Sequence, residues 1–336
     1  MAVQIIAEIG SVHDGSLGNA LCLTRAAGAA GADVVKFQTH IAAAETLRSA
    51  PSPSYFSDES RYDYFQRTSF SEAQWRRLKD ECAGLGKGFM TSVFSPEAVE
   101  LMESLGVDAY KIPSGEVTNL PLLDLIASTG KPVLLSSGMS DWRELDAAVN
   151  VILARHRHLR VLQCTSAYPC PYEQVGLNVM IEMRRRYGVP VGLSDHTLTN
   201  YASFAAVALG ATVIEKHFTL SRLMYGSDAR HSLEPAEFAD LVNGIRATGL
   251  MLAAPVDKDR LDDVRQMKTT FEKSIVTRSR IPEGTTITAD MLAIKKPGSG
   301  IPPARLGEVL GSRAARTIEA DEVLTEADVA WTEPQA

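Results

Sequence analysis

The sequence has little of what nucleic-acid-binding, secreted or membrane-spanning proteins need. Its 336 residues include only four cysteines, none in a C-x-x-C spacing, and we therefore expect reduced thiols and a cytoplasmic protein. The net charge of −7 argues against a nucleic-acid surface, so the positive groups that meet any anionic ligand must be few and local. No apolar run approaches the roughly 20 residues that cross a bilayer, and the first residues carry no basic leader, so we expect neither a membrane span nor a secretion signal.

Glycine-rich phosphate-binding motifs are also missing: no GxGxxG or GxxxxGK[ST] follows a strand-like segment. Instead, eight short apolar segments alternate with eight helical ones between residues 3 and 249, a length close to the roughly 250 residues of a (β/α)8 TIM barrel. Each strand ends in a polar residue, in order Glu8, Lys36, Ser92, Lys111, Ser136, Thr165, His196 and His217. The pattern predicts an α/β fold of this class, in which all eight strand ends converge on one face.

Residues 191–219, VGLSDHTLTNYASFAAVALGATVIEKHFT, contain the most informative unit. Two predicted strands, residues 189–193 and 211–214, end in Ser-Asp-His and Glu-Lys-His and flank a small-residue helix that Gly210 closes. His196 and His217 therefore follow neighbouring strands at matching positions and could hold a divalent metal. A structural role is the better interpretation of either histidine alone, but their matching positions favour the metal.

The lysines at the strand ends allow three interpretations. Lys36 and Lys111 could be structural ion-pair partners, Schiff-base nucleophiles or anchors for an anionic ligand. Several lysines with serines around one pocket suit a phosphate and a carboxylate better than a single nucleophile. The serines at this mouth are Ser92, Ser114, Ser136 and Ser166.

Three glutamates, Glu8, Glu116 and Glu215, are the candidate acid–base groups. Glu215 and His217 lie two apart on one strand, so they share a face and could share a metal or a proton. The alternative for Glu215 is an ion pair with a lysine of a neighbouring strand. Asp228 could reach the site from beyond the eighth strand and His13 from the first loop, whereas we interpret His40, His156 and His158 as surface residues.

The remaining segments outline the rest of the architecture. Residues 39–69 form the longest irregular stretch, and five aromatics there, Tyr55, Phe56, Tyr62, Tyr64 and Phe65, favour an ordered cover over disorder. Beyond residue 249 a charged segment precedes a turn-rich, β-like tail. We therefore predict a barrel at 1–250, a linker at 251–270 and a small β-rich domain at 271–336.

Seven ordered motifs together resemble the sialic acid (N-acetylneuraminate) synthase family. They are AEIGSVHDGSLGNA, ADVVKFQTH, YKIPSGEVTNLPLL, GKPVLLSSGM, CTSAYPCPYE, VGLSDHT and EKHFT. The tail, SIVTRSRIPEGTTITADML with KKPGSGIPP, is similar to the family's C-terminal antifreeze-like (SAF) domain. The resemblance implies condensation of phosphoenolpyruvate with an N-acylated mannosamine-type aldose, giving a nine-carbon 2-keto acid and phosphate. The first choice is N-acetylneuraminate from N-acetylmannosamine, and the alternative is a legionaminate- or pseudaminate-type product from a diacetamido-trideoxy hexose.

The resemblance also implies roles for individual residues. Mn²⁺ or Mg²⁺ would be bound by His196 and His217, and the catalytic positions would be Glu8, Lys111, Glu116 and Glu215. The substrate positions would be Lys36, Gln38, Ser92, Ser114, Ser136, Ser166, Tyr168, Asp228, Phe271 and Lys296. The last two would act in a homodimer in which the small domain of one chain covers the barrel mouth of the other. The family usually has asparagine where this chain has Val12 and arginine where it has Lys296.

Two other functions fit parts of the pattern. A Schiff-base pyruvate aldolase would use Lys111 as its nucleophile, although the paired histidines speak against it. A sugar- or ice-binding protein would explain the tail and leave the polar strand ends without a purpose.

Overall fold

The computed structural model of the chain describes residues 3–51 and 59–331. The chain divides into two compact units, Met1–Pro255 and Val256–Ala336. Two of the aromatics predicted to form a cover, Tyr55 and Phe56, lie outside the described residues.

The first unit is a closed barrel of eight parallel strands that pair in sequential order. This confirms the predicted (β/α)8 fold. The strands are β1 Gln4–Gly10, β2 Val34–Thr39, β3 Gly88–Val93, β4 Tyr110–Ile112, β5 Val133–Ser136, β6 Leu159–Cys164, β7 Val191–Asp195 and β8 Val213–His217.

Ten α-helices belong to the described part of this unit. They are α1 Leu17–Ala29, α2 Ala42–Glu45, α3 Arg61–Thr68, α4 Glu72–Gly84, α5 Pro96–Leu105, α6 Leu120–Ser128, α7 Trp142–Leu153, α8 Leu177–Tyr187, α9 Tyr201–Ala208 and α10 Pro235–Ala253. Local signals explain several starts: Ser71 and Gln74 form the capping box of α4, and Pro96 is the first residue of α5 after the Ser95 cap.

The prediction of an irregular stretch at residues 39–69 was wrong for residues 42–45 and 61–68. It contains α2 and α3, and the side chains of Tyr62, Tyr64 and Phe65 are buried together with Ala42 in a small apolar cluster. Tertiary packing of aromatic residues against the barrel stabilises these short helices, since isolated helices of this length are marginal in water.

The barrel interior is built in layers because side chains alternate between its two faces. An apolar layer of Ile6, Val34, Met90, Leu134, Leu162 and Val213 fills its lower part. Moving two residues along those strands leads to polar side chains, including Glu8, Lys36 and Glu215. Gly192 completes the packing without a side chain, since a Cβ there would lie 2.4 Å from the Val213 carbonyl oxygen. The apolar layer thus supports a polar one at the mouth.

The second unit contains short antiparallel strands and two short helices. Strand β9 Ser274–Thr277 pairs with β10 Leu292–Lys295, and β11 Arg313–Ala314 pairs with β12 Val329–Ala330. The helices are α11 Arg265–Phe271 and α12 Leu306–Val309. Its own apolar core includes Ile275, Ile287, Ile301, Ile318 and Leu324. Across both units, no helix among the described residues is both long and apolar enough to span a bilayer.

Candidate active site

A chain of ion pairs crosses the barrel mouth. Lys36 Nζ lies 2.6 Å from Glu8 Oε2 and 3.6 Å from Glu215 Oε1, and Lys111 Nζ donates to the same Glu215 oxygen at 2.9 Å. All four side chains are almost completely buried. Glu215 therefore pairs with lysines of β2 and β4 rather than with a strand adjacent to β8, and four predicted site residues belong to one network.

These contacts set the charge state of the network. Burial opposes ionisation of Glu215, but Lys111 and Lys36 outweigh it and hold the pKa of this carboxyl below its usual range. Burial also opposes the charge on Lys36, but Glu215 and Glu8 raise its pKa. Both groups are thus charged at neutral pH, and Lys36 is a poor nucleophile because it keeps its proton.

Hydroxyl groups surround the network. Ser92 and Ser136 are buried, and neither Oγ has a hydrogen-bond partner among the described residues. Buried hydroxyls without partners are uncommon and point to a bound group. Ser194, which the sequence analysis did not select, donates to Glu215 Oε1 at 3.0 Å. Only its place two residues before His196 could have indicated it.

Ser114 and Ser166 come together over Gly138. A Cβ on Gly138 would lie 2.6 Å from the Oγ atoms of both serines, so only glycine leaves the space between them free. Ser114 follows β4, Gly138 follows β5 and Ser166 follows β6. Three consecutive strand ends thus form a small cradle of hydroxyl groups, as the ring of polar ends predicted.

The two histidines lie side by side at the ends of β7 and β8, with ring centroids 5.5 Å apart. His196 Nδ1 lies 2.8 Å from the Thr165 carbonyl oxygen and must donate to it, so Nε2 carries the lone pair that can accept from Tyr168 or bind a metal. Burial and the adjacent His217 lower the pKa of His196 to about 3, so the ring is neutral. His217 Nδ1 is buried and has no hydrogen-bond partner within the described ranges.

These features fit a metal site that the protein completes only in part. A backbone acceptor on the second ring nitrogen is the arrangement that orients metal-binding histidines. Over residues 3–51 and 59–331, however, no group of three metal-binding side chains exists. Any ion here would take its other ligands from substrate and water.

A cavity of about 390 Å³ opens beside the histidines. Its lining includes the predicted residues Gln38, Ser166, Tyr168, His217 and Asp228, together with Ser227 and His231. The Tyr168 ring stacks on His196 at a centroid distance of 4.2 Å, and its hydroxyl lies 3.4 Å from His196 Nε2. Asp228 accepts from the Ser11 amide at 3.2 Å, which ties the last loop of the barrel to the first.

Glu116 lies apart from the lysine network. It belongs to a 3-10 turn after β4, accepts from Asn119 Nδ2 at 2.8 Å and is half-buried. Burial raises its pKa, and the charged groups that interact with it are Glu45, Arg61 and His40. The structure therefore places Glu116 toward α2 and α3, whereas Glu215 contacts both lysines and Glu8 contacts Lys36.

The interpretation of His40 as a surface residue was wrong. Its ring is buried between Phe65 and Phe94, with centroid distances of 3.7 and 4.2 Å. Its nitrogens contact Glu45 Oε1 at 2.6 Å and Gln38 Oε1 at 3.0 Å. His13 is also buried, its ring lies 4.5 Å from the Phe70 ring at a tilt of 31°, and its Nδ1 accepts from the Gly15 amide.

The two remaining predicted residues belong to the second unit. Lys296 Nζ lies 5.1 Å from the centre of the Phe271 ring, close enough for a cation–π interaction. Phe271 is 60% exposed, so much of its ring is open to solvent. Their predicted placement near a partner's sugar stays a prediction.

Comparison with known proteins gives consistent matches over both units. Residues 23–257 match the NeuB family and residues 272–330 match the SAF domain. The chain is 36% identical to N,N'-diacetyllegionaminic acid synthase of Campylobacter jejuni, over 96% of this chain and 98% of that one. It is also 36% identical to human N-acetylneuraminate-9-phosphate synthase, over 96% and 91% of the two chains. The structure of the N-acetylneuraminic acid synthetase from Leptospira borgpetersenii, in complex with citrate, superposes with a TM-score of 0.70 at 26% identity, over 80% of this chain and 92% of that one.

Proposed function

The chain belongs to the NeuB family of phosphoenolpyruvate-dependent condensing enzymes, and from that premise we propose that it makes a nine-carbon 2-keto acid from an N-acylated mannosamine-type aldose. Phosphate is the second product. N-Acetylmannosamine is our first choice of aldose, with N-acetylneuraminate as the product.

The observation that carries this proposal is the pair of lysines held across the barrel mouth. Phosphoenolpyruvate has a carboxylate and a phosphate, and Lys36 and Lys111 offer two ammonium groups that the same Glu215 oxygen holds in place. The open hydroxyls of Ser92 and Ser136 and the cradle of Ser114 and Ser166 add uncharged donors. A ligand with two anionic groups suits such a site better than a neutral one.

His196 and His217 would hold Mn²⁺ or Mg²⁺. Such an ion, when bound, supplies Lewis-acid polarisation of a carbonyl oxygen. His196 is already prepared for this role, because Thr165 fixes its tautomer and burial keeps the ring neutral.

The protein's own groups position the reaction and handle its protons. The lysines fix phosphoenolpyruvate so that its C3 carbon faces the aldehyde carbon of the open-chain aldose. As the new C–C bond forms, positive charge develops at C2, and water adds there. The phosphate then leaves with the former bridging oxygen. Glu116 is the more basic of the two candidate glutamates and our choice to accept the proton from water, because burial raises its pKa whereas Lys111 and Lys36 hold the pKa of Glu215 low.

Steady-state phosphate release over a panel of aldoses tests this proposal. We expect release only with phosphoenolpyruvate and an N-acylated mannosamine-type sugar. Phosphoenolpyruvate labelled with ¹⁸O at its bridging position should deliver the label to phosphate. Recovery of the label in the keto acid would contradict the proposed C–O cleavage.

Two alternatives remain for these assays to separate. The relatives include an enzyme named for diacetyllegionaminic acid, so a diacetamido-trideoxy hexose is the second candidate aldose. A Schiff-base pyruvate aldolase is less consistent with the site, because Lys111 is engaged by Glu215 and Lys36 keeps its proton. Borohydride with pyruvate should leave the protein unmodified.

We also propose a homodimer in which Phe271 and Lys296 approach the partner's site. The partly exposed Phe271 ring, next to an ammonium group, is suited to contact a sugar. Light scattering should give twice the chain mass. Phe271→Ala should raise the KM for the aldose and leave that for phosphoenolpyruvate unchanged.

A further inference from the structure

Gln38 connects the lysine network to a buried histidine outside it. Its Nε2 lies 2.7 Å from Glu8 Oε1, and its Oε1 lies 3.0 Å from His40 Nε2. The other Glu8 oxygen, Oε2, lies 2.6 Å from Lys36 Nζ, so Glu8 acts as an acceptor in this network. The Gln38 amide must therefore direct its NH2 group to Glu8 and its oxygen to His40.

This orientation fixes the protons on His40. Its Nε2 faces an oxygen that can only accept, so Nε2 must carry a proton. Its Nδ1 lies 2.6 Å from Glu45 Oε1, a carboxylate whose side chain is only 5% exposed. A second proton on Nδ1 gives that contact a charge-assisted hydrogen bond. Both ring nitrogens are then donors.

The surrounding charges agree with this assignment. Along the chain of contacts, the carboxylates of Glu8, Glu45 and Glu215 outnumber the ammonium groups of Lys36 and Lys111 by one. A protonated His40 balances them, and uncompensated buried charge is strongly unfavourable.

Other groups also face His40. Glu116 and His13 interact with it electrostatically, and Arg61 and Asp228 line the same cavity of about 180 Å³. The carboxylate of Glu116 favours the charged ring, while His13 and Arg61 oppose it. His13 disfavours the charged His40 ring only weakly. Burial, and to a lesser extent the nearby His40, lower the pKa of His13 to about 4, so His13 is neutral.

We propose that His40 is a positioning residue, held as an imidazolium between Glu45 and Gln38, that fixes the Gln38 amide toward Glu8 and the lysines. This rests on the proposed function for its kinetic consequences, but its protonation can be tested without substrate. His40 supports the network without touching the lysines. The rings of Phe65 and Phe94 stack on its two faces and fix the orientation of the imidazole.

Nitrogen NMR of the full-length protein labelled in histidine is the direct test. At pH 7.5 the His40 signals, assigned by their loss in His40→Phe, should show two protonated ring nitrogens. Glu45→Gln should convert His40 to a neutral ring. A neutral ring in the wild type, in either tautomer, would overturn the proposal, as would no change in Glu45→Gln.

Kinetics supply the second arm. His40→Phe keeps the aromatic stack but donates no hydrogen bond and leaves the Glu45 carboxylate buried without its partner. The Tm should therefore fall, and kcat/KM for phosphoenolpyruvate, measured well below that Tm, should fall about tenfold. His40→Gln keeps one donor and should recover part of the loss. The exposed His158 is the control, and His158→Phe should match the wild type. Wild-type rates in His40→Phe would contradict the role. Absence of phosphate release in the wild type itself would refute the proposed function instead, and the NMR result would still decide the state of His40.

Discussion

Lys111 and Glu215, 104 residues apart in the chain, form a buried ion pair of 2.9 Å across the barrel mouth. Lys36 approaches the same Glu215 oxygen at 3.6 Å, so one carboxylate holds two ammonium groups in place. The geometry directs both ammonium groups at one region, where a ligand with two anionic groups can bind between them and the surrounding serines.

Glu215→Gln should therefore be the most damaging single change in the network. Lys111 would lose its ion-pair partner while remaining buried, so the free energy of unfolding should fall by about 3–5 kcal/mol. Activity should fall about a hundredfold, because the lysines would no longer be held for phosphoenolpyruvate. Urea unfolding and phosphate release measure the two effects.

A surface ion pair supplies the matched control for this variant. Arg25 and Glu81 also form an ion pair of 2.7 Å, but Arg25 is exposed to solvent. Glu81→Gln should leave unfolding and activity close to wild type. Equal losses in both variants would mean that burial of the Glu215 pair has no special role.

Much of the barrel could be predicted from its sequence because two periodicities were visible. Apolar strand segments alternated with helices, and polar residues followed each strand. The ion-pair partner of Glu215 was harder to predict. Which lysine reaches Glu215 across the barrel depends on barrel closure and strand register, and neither is visible in the sequence. A lysine of a neighbouring strand was the expected partner, whereas the observed partners lie on β2 and β4.

The error at His40 has a local cause. Helix α2 has only four residues, and α3 carries three buried aromatics within a strongly polar sequence, so neither showed a clear amphipathic pattern. Without those helices nothing in the sequence indicated that Phe65 or Glu45 would contact His40. Short helices stabilised by tertiary packing are where sequence patterns are weakest.

Gly138→Ala should impair phosphoenolpyruvate binding with little effect on folding. The added methyl group would occupy the space between the Ser114 and Ser166 hydroxyls, at 2.6 Å from each. We expect about a tenfold rise in the KM for phosphoenolpyruvate, measured by phosphate release.

Gly249→Ala is the matched control for that substitution. Gly249 lies within α10, and a Cβ there would meet no atom within 4 Å. This variant should keep wild-type kinetics and gain slightly in stability from the higher helix propensity of alanine. A normal KM in Gly138→Ala would show that the cradle does not bind the substrate.

His217→Ala should abolish metal-dependent stabilisation. Mn²⁺ at saturating concentration should raise the Tm of the wild type by several degrees, because a ligand of the folded state shifts the unfolding equilibrium. The variant, left with His196 alone, should show no such shift and should contain no tightly bound metal.

His158→Ala is the control for removal of an imidazole, since His158 is exposed and lies far along the chain from β7 and β8. It should keep the Mn²⁺ response. An undiminished Mn²⁺ shift in His217→Ala would exclude His217 as a ligand.

Lys216 and Asp195 lie next to the two histidines in sequence, but they form a buried ion pair between β8 and β7. Their substitution should therefore reduce stability more than activity. Lys216 Nζ lies 2.9 Å from Asp195 Oδ2 and donates to the Thr197 carbonyl oxygen at 2.6 Å, with both charged side chains essentially inaccessible. Lys216→Met leaves Asp195 buried without its ion-pair partner, so the free energy of unfolding should fall by about 3–5 kcal/mol. The folded fraction should lose much less activity than Glu215→Gln, since neither residue belongs to the lysine network.

The double variant Asp195→Asn with Lys216→Met removes both charges and should recover part of the stability, with a coupling free energy of about 0.5–3 kcal/mol. Urea unfolding of the two single variants and the double variant measures this coupling. Strictly additive losses would contradict a direct pair, and full recovery of stability with continued loss of activity would show that the pair positions the histidines as well as joining β7 to β8.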